Sequence, residues 1–141
     1  MAEHKIQKLA LTVKSDGYED LVLAIVFAGI AVNSGMQVSM FFTSRASRVL
    51  RKGGFEEVES MPLDEIGEKY RERCAEMGFT NLAGVLGQLK DKGLLKVYIC
   101  TRGMRAFDIR LDELIPQCDG VMGTANFLLK EVMSADANLS F

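Results

Sequence analysis

Two apolar strands separated by one long apolar helix open this chain, and that order constrains its fold more than any other feature. Ile6 to Val13 alternates around Leu9 and Leu11, which predicts a strand, and Ser15-Asp16-Gly17 breaks it. A helix is expected from about Tyr18 to Asn33, with Leu21, Ile25 and Gly29 on one face and Val22, Val26 and Ile30 beside them. A helix apolar nearly all round should be buried. Gly35 supplies a left-handed stop, and Gln37 to Thr43, containing Val38, Met40, Phe41 and Phe42, predicts a second strand. A strand, helix and strand within about 40 residues form the unit of a parallel sheet.

The remaining chain continues in the same style. Ser44 to Lys52 opens a helical turn that stops at Gly53-Gly54. Pro62 to Met77 is charged and amphipathic, with Ile66, Tyr70 and Cys74 four apart, and Thr80 or Asn81 can cap a helix through Leu82, Val85, Leu86 and Leu89 to Lys92. Leu94 to Cys100 is rich in β-branched and aromatic residues and predicts a buried strand. Leu111 to Pro116 suggests a short helical piece, Asp119 to Met122 a short strand, Thr124 a cap for a helix through Met133, and Asn138 to Phe141 a last strand. No repeat or linker interrupts this series. The expectation is one α/β layer domain over residues 1–141, with a helical insertion at about 56–78.

Composition narrows the function. With 48% hydrophobic residues and a net charge of −2, the chain can build a core and lacks the basic surface of a general nucleic-acid binder. Leu21 to Val32 is shorter than the roughly 20 apolar residues that span a bilayer, and no leader with a cleavage site precedes the first strand. Three cysteines, Cys74, Cys100 and Cys118, form no CxxC pair and suit a reducing cytoplasm. The one histidine, His4, lies in a polar lead-in, so neither a metal site nor Cys-His catalysis is expected.

Cys100 carries the chemistry. It ends an apolar strand and opens the turn Thr101-Arg102-Gly103-Met104-Arg105, at the sheet edge where open α/β proteins place ligands. Arg102 and Arg105, with backbone N–H groups of Thr101 to Gly103, would favour the thiolate, the reactive form of cysteine. Loops leaving parallel strands share that edge, so Ser15 and Gly17 from the first loop and Arg45 from the second join the binding candidates, with Arg48 nearby. A solvated, salt-bridged rim would use the same arginines. Cysteine also often only fills space in a core, which is the alternative reading of Cys100 and the simpler reading of Cys74 and Cys118. Neither GxGxxG nor GxxxxGK[ST] is present.

Taken in order, these elements resemble the DsrE/DsrF-like family, especially its branch with an insertion between the second strand and the cysteine strand. The resemblance rests on Lys8–Val13 with Ser15-Asp16-Gly17 and the small-residue-rich helix, then Val97-Tyr98-Ile99-Cys100 followed by Leu111-Asp112-Glu113-Leu114-Ile115. Gly123-Thr124-Ala125-Asn126-Phe127-Leu128, Ala135-Asp136 and a short final strand complete it. Relatives often carry a small hydroxyl residue and methionine shortly after the cysteine, where this chain has Gly103-Met104 behind the basic Arg102. The resemblance implies a flavodoxin-like three-layer fold with a mostly parallel sheet of about five strands, assembled as a homo-oligomer, commonly a trimer or hexamer. It also implies a cytoplasmic sulfur carrier or sulfurtransferase: Cys100 accepts sulfane sulfur as a persulfide from a donor protein and passes it to an acceptor, with no metal or organic cofactor. Two other readings use the same residues. One is an oligomeric binding module for a nucleotide or other small anion; the other is a thiol peroxidase-like redox protein, which would need Cys74 or Cys118 within bridging distance.

Overall fold

Five parallel strands run through the centre of the computed structural model, which describes residues 7–141. In chain order the elements are β1 (Lys8–Val13), α1 (Tyr18–Asn33), β2 (Gln37–Phe42), a 3₁₀ helix (Ser44–Leu50), α2 (Gly54–Ser60), α3 (Glu65–Glu76), α4 (Leu82–Lys90) and β3 (Leu95–Cys100). There follow α5 (Thr101–Ala106), a 3₁₀ turn (Leu111–Glu113), β4 (Gly120–Met122), α6 (Thr124–Asn126) running into a π-helical turn (Phe127–Val132), and β5 (Ala137–Ser140). Ile6 and His4 lie outside the described residues.

The sheet order is β4-β3-β2-β1-β5, and all four pairings are parallel. The chain steps in one direction from β1 to β4 and then returns across the sheet to β5. Right-handed crossovers place helices of the forward steps on one face and the helix of the return step on the other. The hydrophobic clusters divide in that way. Leu9, Leu11, Val13, Met40, Phe42, Val97 and Ile99 pack with α1 and α4 in the larger cluster. Ala10, Phe41, Cys100 and Phe127 form the smaller one, joined at its margin by Tyr98, Met122 and Val132. Phe41 and Phe127 stack with ring centroids 4.5 Å apart, fixing the return helix to the sheet. Helices on both faces of a parallel sheet make the expected α/β, flavodoxin-like three-layer architecture.

Several boundaries differ from expectation for physical reasons. Alternation in α1 is weak, and the helix presents only one side to the sheet, so Leu23, Phe27 and Ile30 are exposed rather than buried. Residues 56–78 hold most of α2 and all of α3, joined by a non-helical link at 61–64, and only Gly67 and Cys74 of α3 are buried; Ile66 and Tyr70 are exposed. The last strand is Ala137–Ser140, with Phe141 extending the ladder through its N–H to Thr12 and its carbonyl to Lys14. Thr124 does not cap its helix: Gly123 occupies the cap and Thr124 is the first helical residue, which frees its hydroxyl.

Candidate active site

Strand β3 ends at Cys100 because the next residues turn directly into α5, with Cys100 in the helix N-cap position. Its side chain falls on the less covered face of the sheet, shared with Phe41 and Phe127. The register Phe42↔Ile99 places Thr43, just past the end of β2, abreast of Cys100. On the other side Cys100 pairs with Met122, two residues before Thr124. Two threonines from adjacent strand ends therefore flank one sulfur.

The sulfur is fully covered, at 0% exposure. Burial pushes the thiol up, since a low-dielectric surrounding disfavours the charged form. Against it act the Thr43 hydroxyl, the Gly103 N–H, the Thr124 hydroxyl and the Arg102 N–H, and together they hold Cys100 below its ordinary value. Thr124 Oγ1 stands 3.7 Å from Sγ. The depression thus comes from hydrogen-bond donors: of the groups expected from the sequence the backbone N–H groups act, Arg102 through its backbone, and the two threonines join them.

Close packing aims the α5 N–H groups. Gly103 is buried against Ser47 of the 3₁₀ helix, and a Cβ at 103 would lie 1.8 Å from Ser47 Oγ and 2.6 Å from Ser47 Cβ. Ser47 is itself fully buried, with its hydroxyl donating to the Phe42 carbonyl at 3.5 Å. Only glycine admits this approach.

Beside the sulfur an open hollow of about 580 Å³ is lined by Thr101, Arg102, Arg105, Ala106, Gly123 and Thr124. Arg102 and Arg105 are exposed, and neither forms an ion pair with another described residue. A second hollow, sharing Thr101 and Arg105, continues past Met104 to Ile109, Leu111 and Val121.

The structure gathers Cys100, Thr101, Arg102, Gly103 and Arg105 and leaves the others apart. Ser15 and Gly17 follow β1, which β2 separates from β3; Ser15 Oγ accepts the Gly17 N–H at 3.0 Å in a local turn. Arg45 is engaged with Asp16 at 3.2 Å, and Arg48 and Arg51 with Glu57 at 3.3 and 2.9 Å. These three arginines share a separate small hollow with Val49, Val58 and Met61, so this part of the edge is a salt-bridged rim. Thr43 and Ser47 escaped sequence reasoning because their roles depend on strand register and on a close helix contact. Thr124 was visible only as a helix cap.

All three cysteines are free thiols. Cys118 precedes β4 at the opposite end of the strand, about four residues' rise from the level of Cys100, or roughly 13 Å. Burial pushes its thiol up. Cys74 is buried on α3. Among the described residues no group of three His, Cys, Asp or Glu side chains gathers as a metal site, and no helix is long and apolar enough to cross a membrane.

Comparison with known proteins agrees with this architecture. No curated protein matches the sequence significantly. The solved structure of a protein of unknown function from Methanobacterium thermoautotrophicum, MTH1491, superposes with a TM-score of 0.66 at 12% identity, covering 96% of this chain and 99% of that one. The DsrE/DsrF-like family model matches residues 7–141, all of the described residues. The chain belongs to the DsrE/DsrF-like family.

Proposed function

We propose that this protein is a sulfur carrier in which Cys100 accepts sulfane sulfur as a persulfide and passes it to a partner thiol. Membership of the family is consistent with sulfur relay, and its members are typically oligomeric. The observation that carries the reading is the convergence on one sulfur of two threonine hydroxyls and two backbone N–H groups, at the end of a central parallel strand. A thiol that only filled space would not need four donors turned toward it.

The chemistry requires one nucleophile. The Cys100 thiolate attacks the outer sulfur of a donor persulfide, R–S–SH; the new S–S bond forms as the donor's S–S bond breaks, and the electron pair leaves on R–S⁻. Cys100–S–SH and the donor thiolate result, with no net oxidation. An acceptor thiolate then attacks the outer sulfur, and the pair returns to Cys100. Thr43, Thr124 and the N–H groups of Arg102 and Gly103 stabilise the anionic sulfur at both stages. Arg102 and Arg105 sit where an anionic donor would approach, and the hollow against Gly123 and Thr124 is the entry. Because the sulfur is covered, a local opening must expose it to the donor.

Residues 1–141 act in this reading as one domain with a helical insertion at 56–78, in a cytoplasmic homo-oligomer of three or six chains that meets donor and acceptor proteins. The free thiols and exposed Ile30, Leu128, Leu129 and Met133 support it. Arg102 and Arg105, without an ion-pair partner among the described residues, also favour a second reading, a small-anion binding module, whose binding would survive Cys100→Ser. The distance of Cys118 from Cys100 removes one resolving thiol from the peroxidase reading.

Cyanide strips persulfide sulfur as thiocyanate, which decides the matter cheaply. Protein treated with polysulfide and then desalted should release close to one thiocyanate per chain, and Cys100→Ser should release none. Equal release from both would count against the proposal.

A further inference from the structure

We propose that the buried hydroxyl of Thr43 is the ligand for the outer sulfur of a Cys100 persulfide, forming with Cys100 a two-residue subsite for an anionic sulfane sulfur. The proposal rests on the reading of Cys100 as a sulfur carrier and adds the residue that holds the carried atom.

Thr43 is nine-tenths buried, with 8% of its surface exposed. Its backbone is fully occupied: the N–H donates to the Val13 carbonyl at 2.9 Å and the carbonyl accepts from the Ala46 N–H at 3.1 Å. The hydroxyl is less well served: it lies near Cys100 Sγ without reaching full hydrogen-bond geometry. Thr43 Oγ1 is inaccessible to water and forms no hydrogen bond of full geometry with another described residue. Orphaned hydroxyls are rare inside proteins because desolvation without a partner is costly. Valine would fill the same space without that cost, so the hydroxyl calls for a better-placed acceptor than the resting Sγ.

Position identifies that partner. Thr43 stands abreast of Cys100 in the β2–β3 register, on the same face as Phe41, and its hydroxyl is near enough to Sγ to favour the thiolate. Thr124 already meets Sγ from the other side. A transferred sulfur stands one S–S bond, about 2.05 Å, beyond Sγ. It carries the negative charge outward to a new position, where it can accept the Thr43 hydroxyl proton in a well-formed, charge-assisted hydrogen bond. Thr43 then discriminates the loaded from the empty state.

The exchange Cys100–S⁻ + R–S–S⁻ → Cys100–S–S⁻ + R–S⁻ conserves atoms and charge: one S–S bond forms, another breaks, and the electron pair leaves on R–S⁻. Its equilibrium measures how well the protein holds the outer sulfur. The wild type, Thr43→Val, Thr43→Ser and Cys100→Ser would be equilibrated with glutathione and glutathione persulfide at a fixed ratio. Intact-mass spectrometry then gives loaded over empty protein. Thr43→Val should lower that ratio about tenfold, the scale of one lost hydrogen bond to an anion, whereas Thr43→Ser should stay within about twofold of wild type. Thr43→Val should melt no lower than wild type, since it removes an orphaned group and keeps the shape. A Thr43→Val ratio matching wild type, or a Thr43→Ser ratio as low as that of Thr43→Val, overturns the subsite while the carrier reading stands. A wild type that gains no sulfur at all overturns both.

Discussion

Four donors act on one sulfur atom, and they outweigh the burial that would otherwise keep Cys100 protonated. Their effect is measurable as the pH dependence of alkylation in unfolding-free conditions. The rate of Cys100 modification by a small iodoacetamide-type reagent should reach half its maximum below the ordinary thiol value, and Thr124→Val should move that midpoint upward. A midpoint at or above the ordinary value would contradict the donor geometry. The sign for stability follows from linkage. A folded-state value depressed below the unfolded one contributes stability that is fully present above the unfolded value and is lost as pH falls through the folded one. Cys118 behaves oppositely: burial raises its value, so its contribution is present below the unfolded value and is lost as pH rises through the folded one. Cys100 was legible in the sequence because an apolar run ended on it beside a basic turn. Thr43 was not, since it gains meaning only when Phe42 is known to pair with Ile99.

Helix α5 works through its packing, not its length. Six residues make a weak helix in isolation, and what holds its first N–H groups on the sulfur is the contact of Gly103 with Ser47. Gly103→Ala should cost about 1–3 kcal/mol by overpacking and slow Cys100 alkylation near neutral pH. Ser47→Gly in the same chain removes both clashing atoms and should restore much of the alkylation rate. Chemical denaturation and alkylation kinetics on the single and double variants check this; a Gly103→Ala protein with unchanged kinetics would refute the role assigned to the contact. Element order was readable from hydrophobic period and turn residues. The helix after β4 was readable too, but its π-helical turn, the cap position of Gly123 and the stacking of Phe127 over Phe41, a contact across more than eighty positions of sequence, were not.

At the scale of the whole molecule, the sheet's two faces are unequal. α1 and α4 cover one face along its length, whereas the return helix covers the other only around Phe127 and leaves Leu128, Leu129 and Met133 exposed. Uncharged exposed side chains also run along α1 at Leu23, Phe27 and Ile30. Such surface favours self-association, and light scattering on the purified protein should give an integral multiple of the 15.6 kDa protomer. A monomer at micromolar concentration would count against the assembly proposed above. The fold class was legible because a β-α-β beginning permits few sheets. The convergence of Ser15, Gly17 and Arg45 with Cys100 was not realised, because a shared sheet edge spans several strand spacings of about 4.8 Å and salt bridges with Asp16 and Glu57 hold that rim together.

Sulfur carriage by Cys100 is the central claim, and intact-protein mass spectrometry after incubation with polysulfide or thiosulfate tests it most directly. The account predicts that wild type gains about one sulfur atom, that dithiothreitol removes it, and that Cys100→Ser gains none. Equal gain by both proteins, or by neither, would contradict it.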